Sequence, residues 1–284
     1  MTAKTKTSDT TKRKRWLPRI SFASDAKASY AFVERNFNLV RRYFGWEVVF
    51  LAYTVVNTLT IGLIAAGTGD PQRVLYLVIG ALLWGYLSVL FTVVSEDVAW
   101  ERWEGTIEYT FMAPVRRLAR LGGTCAFAAV YGILRTAIVL GVVTLFFSLS
   151  LGDANIGAFI VVLGASSFAF MGLGIMAAIL PLISPERGVQ ATHIIQALLL
   201  LVSGVYYEVS VLPSWLQPLS YISPATYTLR ASRACLLEGA SVSDVLPEIM
   251  VLLGMGVVLI PLGLWVFGLA ERHAKRTGKL KRSG

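Results

Sequence analysis

Residues 73–94 read RVLYLVIGALLWGYLSVLFTVV, an apolar run with a single charge at its first position. A hydrocarbon layer of roughly 30 Å takes about 20 apolar residues of helix to cross, and this run has that length. Working outward, 46–67, 122–148, 156–180, 189–206 and 246–269 repeat the pattern. Backbone N–H and C=O groups in lipid must be paired within the segment, so helices are the spanning element. A β-barrel would need alternating segments of about ten residues, whereas these runs are continuously apolar. The expected fold class is an all-α membrane protein with six transmembrane helices.

Composition agrees. Of 284 residues, 55% are apolar and 15% charged, against about 25% charged in ordinary soluble domains. The charges sit in blocks, and their placement predicts orientation. Residues 1–45 carry 11 of the 26 Lys and Arg, 95–121 carry 4, 181–188 carry 1 and 270–284 carry 6. The opposite loops carry 3, Arg73, Arg230 and Arg233, and Arg135 falls inside a span. Cationic loops stay inside, so both termini are expected in the cytoplasm of a multi-pass cell-membrane protein. The first 45 residues show no apolar h-region of a cleavable signal. The formal charge of +9 does not imply a nucleic-acid partner, because the basic residues flank spans, where they set topology and meet anionic membrane lipid. Cys125 and Cys235 are expected on opposite sides and too far apart to pair.

Residues 1–27 read as a disordered basic tail. In 28–45, Tyr30, Val33, Phe37, Val40 and Phe44 recur at steps of three and four, with Glu34, Arg35, Asn38, Arg41 and Arg42 elsewhere. This predicts an N-terminal interfacial amphipathic helix lying in the membrane plane. The six-helix domain then runs over 46–269, and 270–284 form a basic tail. The segment 95–121 begins acidic, with Glu96, Asp97, Glu101, Glu104 and Glu108, and ends basic, with Arg116, Arg117 and Arg120. Its Trp100, Trp103, Ile107, Tyr109 and Phe111, with a break at Pro114, predict one or two short helices at the membrane surface. The segment 203–245 is cut by Pro213, Pro218 and Pro224 into pieces expected to dip into the outer leaflet as short re-entrant-like helices before the last span. Ser223-Pro224 is a helix start and Gly239 a stop.

No phosphate-cradling G-x-x-x-x-G-K-[ST] is present, nor H-E-x-x-H, a Cys/His metal spacing or G-x-S-x-G. Arg135 lies near mid-depth, where a charge is either functional or, in contact with backbone carbonyls or a neighbouring acid, a packing device. Small residues crowd the fourth run (Gly164, Ala165, Ser166, Ala169, Gly172, Gly174), which suits close helix packing. A secondary transporter would favour internal repeats and mid-membrane carboxylates, and neither is evident. An intramembrane enzyme would need clustered acids or metal ligands, for which 96–108 is the single candidate; its interleaved aromatics fit docking better.

Two stretches carry a family resemblance. ERWEGTIEYTFMAPVRR (101–117) is similar to a Glu-Arg, Gly-Thr-(Leu/Ile)-Glu, Pro-(Val/Ile)-Arg pattern. SGVYYEVSVLPSWLQPLSYISPATYTLRASRACLLEG (203–239) is similar to one of Ser-Gly, an aromatic pair, Leu-Pro-x-Trp-Leu-Gln, Pro-x-Thr-Tyr and Arg. Both resemble the permease subunit of ABC type-2 exporters, with a departure at 208–211, Glu-Val-Ser-Val, where that family often has Pro. The resemblance implies a non-enzymatic membrane subunit that moves an amphiphilic small molecule or lipid-like cargo outward. It has no cofactor of its own; ATP and Mg are bound by two cytoplasmic ATPase subunits, and a second membrane subunit completes the pathway. It further implies that Glu101, Arg102, Glu104, Gly105, Thr106, Glu108, Pro114 and Arg116 couple to the ATPase, with Pro185, Glu186 and Arg187 as a second contact. The cargo route would run between the second and fifth spans. Helical spacing then selects Trp84, Ser88 and Phe91 on one, and Thr192, Gln196, Leu199 and Ser203 on the other, unless the same spacing reflects plain packing.

Overall fold

The computed structural model describes residues 22–113, 115–148 and 152–278. The tail 1–21, Pro114 and the end 279–284 lie outside that description. Within it the regular elements are helices: α1 (Phe22–Arg42), α2 (Phe44–Ala66), α3 (Pro71–Glu104), α4 (Ile107–Met112), α5 (Arg117–Phe147), α6 (Ile156–Ala177), α7 (Ile179–Ile183), α8 (Pro185–Val202), α9 (Gln217–Ile222), α10 (Pro224–Leu237) and α11 (Leu246–Arg276), with a 3₁₀ turn at Val209–Val211.

Among the described residues five helices are long and apolar enough to cross a membrane: α2, α3, α5, α6 continued by α7, and α11. α3 and α6 form the centre, with 61% of each apolar window buried, against 17–22% for the other three. Tyr86 of α3 knits them together, donating to the Leu163 carbonyl at 2.7 Å and sharing a hydrogen bond with Ser167. The small residues of α6 do what their size suggests: Gly172 lies directly against Leu259 of α11, where a Cβ would collide with backbone. Around this seam Leu83, Leu87, Leu163, Phe170, Leu229 and Leu252 form one buried cluster. A second, toward the end of the bundle that carries α1, gathers Val94, Val98, Ile107, Leu121, Ile175 and Phe267.

Three features depart from expectation. First, α3 does not stop where its apolar run stops. Its 34 residues are about 51 Å long, so the acidic stretch 95–104 is helix continuing past the apolar zone rather than loop. Second, α1 advances alongside α5. Asp25 pairs with Arg116, Ser29 bonds the Ala119 carbonyl, and Phe32 abuts Gly123. Its packed face is Ser29, Phe32, Arg35 and Asn36, whereas Tyr30, Phe37 and Phe44 stay exposed.

Third, the fifth apolar run is a short helix. α8 has 18 residues, begins with Glu186 and Arg187, and is not among the helices long and apolar enough to cross. Thr192 of α8 bonds Ser95 of α3 at 3.0 Å, and Val205, just past the end of α8, presses its carbonyl on Gly80. The part of α8 beside the apolar length of α3 is thus Thr192–Val202, about 16 Å long. The chain leaves through 206–216, returns by α9 to bring Ser223 against Ser203 (2.7 Å), and climbs again as α10. Thr228 of α10 bonds Ser166 at 2.8 Å, roughly 15 Å along α6, and the Cys235 carbonyl accepts from Asn155 N–H where α6 begins. α9 and α10 form a V entering the bundle from the end opposite α1.

Candidate functional site

The coupling segment predicted from sequence is built by the lower turns of α3, α4 and the start of α5. α3 ends at Gly105, whose φ of 73° is the left-handed conformation glycine adopts without strain. Gly105 N–H returns to the Arg102 carbonyl and Thr106 N–H to that of Glu101. The chain thereby reverses into the six-residue α4, which is anchored by the fully buried Ile107.

Above this turn is a buried ion-pair cluster. Arg35 of α1 bonds Glu101 at 2.7 Å and also pairs with Asp97. Arg120 of α5 bonds the other Glu101 oxygen at 2.6 Å, with both side chains nearly covered (6% and 7% exposed). Thr124 adds a 3.3 Å bond to Asp97. Asp97 and Glu101 are four residues apart on one face of α3, so the cluster ties α1, α3 and α5 together. Burial alone would lower the Arg35 pKa; Asp97 and Glu101 beside it hold it above the usual arginine value. A second tie joins α5 to α11: Glu271, 3% exposed, takes Arg117 and, at 2.6 Å, Lys275. Arg120 and Lys275 both sit over the Phe111 ring of α4, at 5.5 and 4.9 Å from its centroid.

The predicted coupling residues therefore divide. Glu101 and Arg102 are buried at 5% and 6%, and Glu101 holds helices together. Glu104, Thr106, Glu108 and Arg116 are exposed around α4, beside exposed Trp100, Trp103, Tyr109 and Met112; Arg116 also reaches Asp25 at 2.9 Å. Pro185 opens α8, with Glu186 and Arg187 exposed in its first turn.

A comparison with protein families matches residues 28–237 to the ABC-2 type transporter family. The chain belongs to this family. It is thus the membrane domain of an ABC transporter permease rather than a catalytic domain, a multi-pass membrane protein of a family that implies association with an ABC ATPase and a membrane partner. A comparison with curated proteins finds no match.

In this permease the residues selected for the cargo route lie between α3 and α8. Phe91, Thr192, Gln196 and Ser203 are buried, and Trp84, Ser88 and Leu199 are half-buried. Gln196 donates to the Ser88 carbonyl at 3.3 Å, Thr192 meets Ser95 and Ser203 meets Ser223. Within one protomer Thr192 and Gln196 tie α8 to α3, and Ser203 ties the end of α8 to the α9–α10 junction. The face of α8 left open is Ile194, Ile195, Leu198 and Leu201.

Sequence reasoning passed over two polar sites. Arg233 of α10 donates to the Val205 carbonyl at 2.6 Å and the Gly204 carbonyl at 3.2 Å, and its guanidinium lies 3.5 Å from the centre of the Tyr76 ring. It caps carbonyls freed where α8 ends inside the bundle, as backbone at membrane depth requires. The signal was an arginine among the small residues of Ala-Ser-Arg-Ala. The cluster at Asp97 was readable from the i, i+4 acids once α3 is continued. Arg135 behaves as the packing device considered for it, donating to the Phe50 carbonyl at 2.7 Å and Thr54 at 2.6 Å, with Tyr131 joining it to Glu47.

Proposed function

We propose that this chain is the permease subunit of an ATP-driven exporter that carries an amphiphilic small molecule or lipid-like cargo out of the cytoplasm. ATP and Mg bind a separate cytoplasmic ATPase, two copies of which dock on two membrane subunits, either identical or similar to one another. The basic α1 end, with both termini, faces the cytoplasm; the excess of Lys and Arg at that end supports this orientation. α8 with the α9–α10 V counts as the sixth crossing, one helix rising from inside and the V closing the outer half.

The observation that carries the reading is the placement of α4. It is a six-residue helix on a tight glycine turn, with Glu104, Glu108, Tyr109 and Met112 exposed. Its buried Ile107 and its Phe111 ring, which lies against Arg120 and Lys275, seat it on α5 and α11, and the ion pairs of Arg120 and Lys275 tie those helices to α1, α3 and each other. A rigid exposed helix backed in this way passes an applied push to four helices at once. Glu104, Gly105, Thr106, Glu108, Pro114 and Arg116 then form the docking surface, Pro185, Glu186 and Arg187 a second contact, and Glu101 and Arg102 the rigid backing. Cargo moves along the α3–α8 side where the second subunit packs, with Trp84, Ser88, Phe91, Thr192, Gln196, Leu199 and Ser203 lining or supporting that route. Aromatic and polar groups on one face suit an amphiphile, since apolar walls hold it and a few polar groups orient it.

The test is reversal of both exposed acids, Glu104→Lys with Glu108→Lys, in the assembled transporter. Export is expected to be lost and the ATPase no longer to co-purify, with the permease present in the membrane at normal levels. Undiminished ATP-driven export would refute the docking assignment. Gln196→Ala and Phe91→Ala are expected to change cargo preference more than basal ATPase activity.

A further inference from the structure

Beneath α4 lies an open cleft of about 730 Å³, walled by Tyr109–Phe111 of α4, Arg116, Arg117 and Arg120 at the start of α5, and Phe267, Glu271 and Lys275 of α11. We propose that this cleft binds the phosphate headgroup of an anionic phospholipid from the leaflet at the α1 end. The inference rests on the membrane character of the chain and not on its cargo or its ATPase.

The charge of the cleft points to an anion. Four cations line it and one carboxylate, Glu271. The carboxylates that pair with these cations are Asp25 on Arg116, Glu101 on Arg120, and Glu271 shared by Arg117 and Lys275. None of these pairings saturates a guanidinium. Arg120 is the decisive case. It is 5% exposed, gives one nitrogen to Glu101 and lies over the Phe111 ring, while its Nε and Nη1 are covered by protein and have no hydrogen-bond acceptor among the described residues. A guanidinium beside a cleft with two nitrogens unmet lacks acceptors, and a turn of the Arg120 side chain toward the cleft would bring those nitrogens to phosphoryl oxygens, which supply acceptors in the fork geometry arginine prefers. The start of α5 adds to this. Arg116 at its N-cap makes no side-chain cap hydrogen bond, and the N-terminal end of a 31-residue helix favours an anion nearby.

The depth of the cleft selects a lipid. α5 is about 46 Å long, close to the 40–45 Å of a bilayer with its headgroup regions. With the apolar part of α5 in hydrocarbon, Arg116–Arg120 fall at phosphate level. The aromatic and apolar walls, Phe32, Phe111, Leu121 and Phe267, would meet the glycerol and upper acyl chain. Bound there, the lipid would bridge α4, α5 and α11.

The test uses the purified full chain and short-chain phosphatidylglycerol, with short-chain phosphatidylcholine and inorganic phosphate as separate arms, read by native mass spectrometry and titration calorimetry. Phosphatidylglycerol is expected to bind one per chain, at least tenfold more tightly than either comparator. Arg116→Ala with Lys275→Ala is expected to weaken it about tenfold. Arg120→Lys, which keeps a cation for Glu101 but removes the spare guanidinium nitrogens, is expected to weaken it severalfold with unfolding temperature near wild type. Should the double variant fail to fold, the Arg120→Lys arm decides. Equal binding of inorganic phosphate would overturn the lipid as occupant. Absent binding, or binding untouched in the folded variants, would overturn the site.

Discussion

Glu101→Ala separates a tie that holds helices from a charge that meets a partner. The carboxylate bonds Arg35 at 2.7 Å and Arg120 at 2.6 Å. Hydrogen bonds to charged groups contribute about 1.5–3 kcal/mol each. The Arg35 side chain is 34% exposed, so solvent screening makes its share the smaller one. Removing the acid also strands Arg120, already short of partners, and breaking one side of a buried pair costs about 3–5 kcal/mol. With roughly 2–4 °C per kcal/mol for a chain of this size class, the unfolding midpoint is expected to fall by about 6–20 °C. Both cysteines are buried, and Cys125 packs in the same cluster as Val98 and Leu121, so a thiol-reactive dye in detergent reports the transition. Glu104→Ala, on an exposed residue one turn further along the same helix, is the paired control and is expected to shift the midpoint by less than about 2 °C. A Glu101→Ala midpoint within 2 °C of wild type would refute the structural role of the cluster. Equal shifts in the two variants would refute the division of α3 into backing and docking residues.

Gly80→Ala places a methyl group against the Val205 carbonyl and near Arg233; overpacking of about 1–3 kcal/mol is expected, read as a lower midpoint in the same dye assay. Arg233→Ala leaves the Gly204 and Val205 carbonyls uncapped at membrane depth, and a loss of about 2–4 kcal/mol is expected, with Arg233→Lys recovering part of it. Arg135→Gln keeps one donor for the Phe50 carbonyl and is expected to cost about 1–2 kcal/mol while export continues; complete loss of export in a stable Arg135→Gln protein would assign Arg135 to the transport path. Single cysteines at Ser8 and Ser241, in a background without Cys125 and Cys235, are expected to label from opposite sides of intact cells with an impermeant reagent, and labelling of both from outside would overturn the proposed orientation.

The helices were legible because each apolar run must pair its own backbone in lipid, a local requirement that composition reports directly. Two turn signals were legible for the same local reason: Gly239 lies at a helix end with left-handed φ, and Ser223-Pro224 opens α10. Local readings failed where the outcome depended on a neighbour. Ser223 begins α10, yet its hydroxyl bonds Ser203 across the V instead of capping its own helix. α1 was legible as a helix with one apolar face, and Tyr30 and Phe37 on it stay exposed; that its other face, bearing Arg35, packs on α3 depended on Asp97 and Glu101.

By itself the sequence determined that this is a helical membrane chain, where its apolar runs lie, and, through two motif stretches, its family. Tertiary structure alone decided which side of each helix is used. A helix apolar all round carries almost no signal of facing, and packing of small residues and a few long-range polar contacts settles it. So Glu101 turned inward and Glu104 outward, although three positions apart. So too Thr192 and Gln196 became links to α3. The length of α8 in the bundle was decided the same way: an apolar run of ordinary span length ends against Gly80 because Arg233, some thirty residues later in sequence, arrives on another helix to donate to the carbonyls of the broken turn.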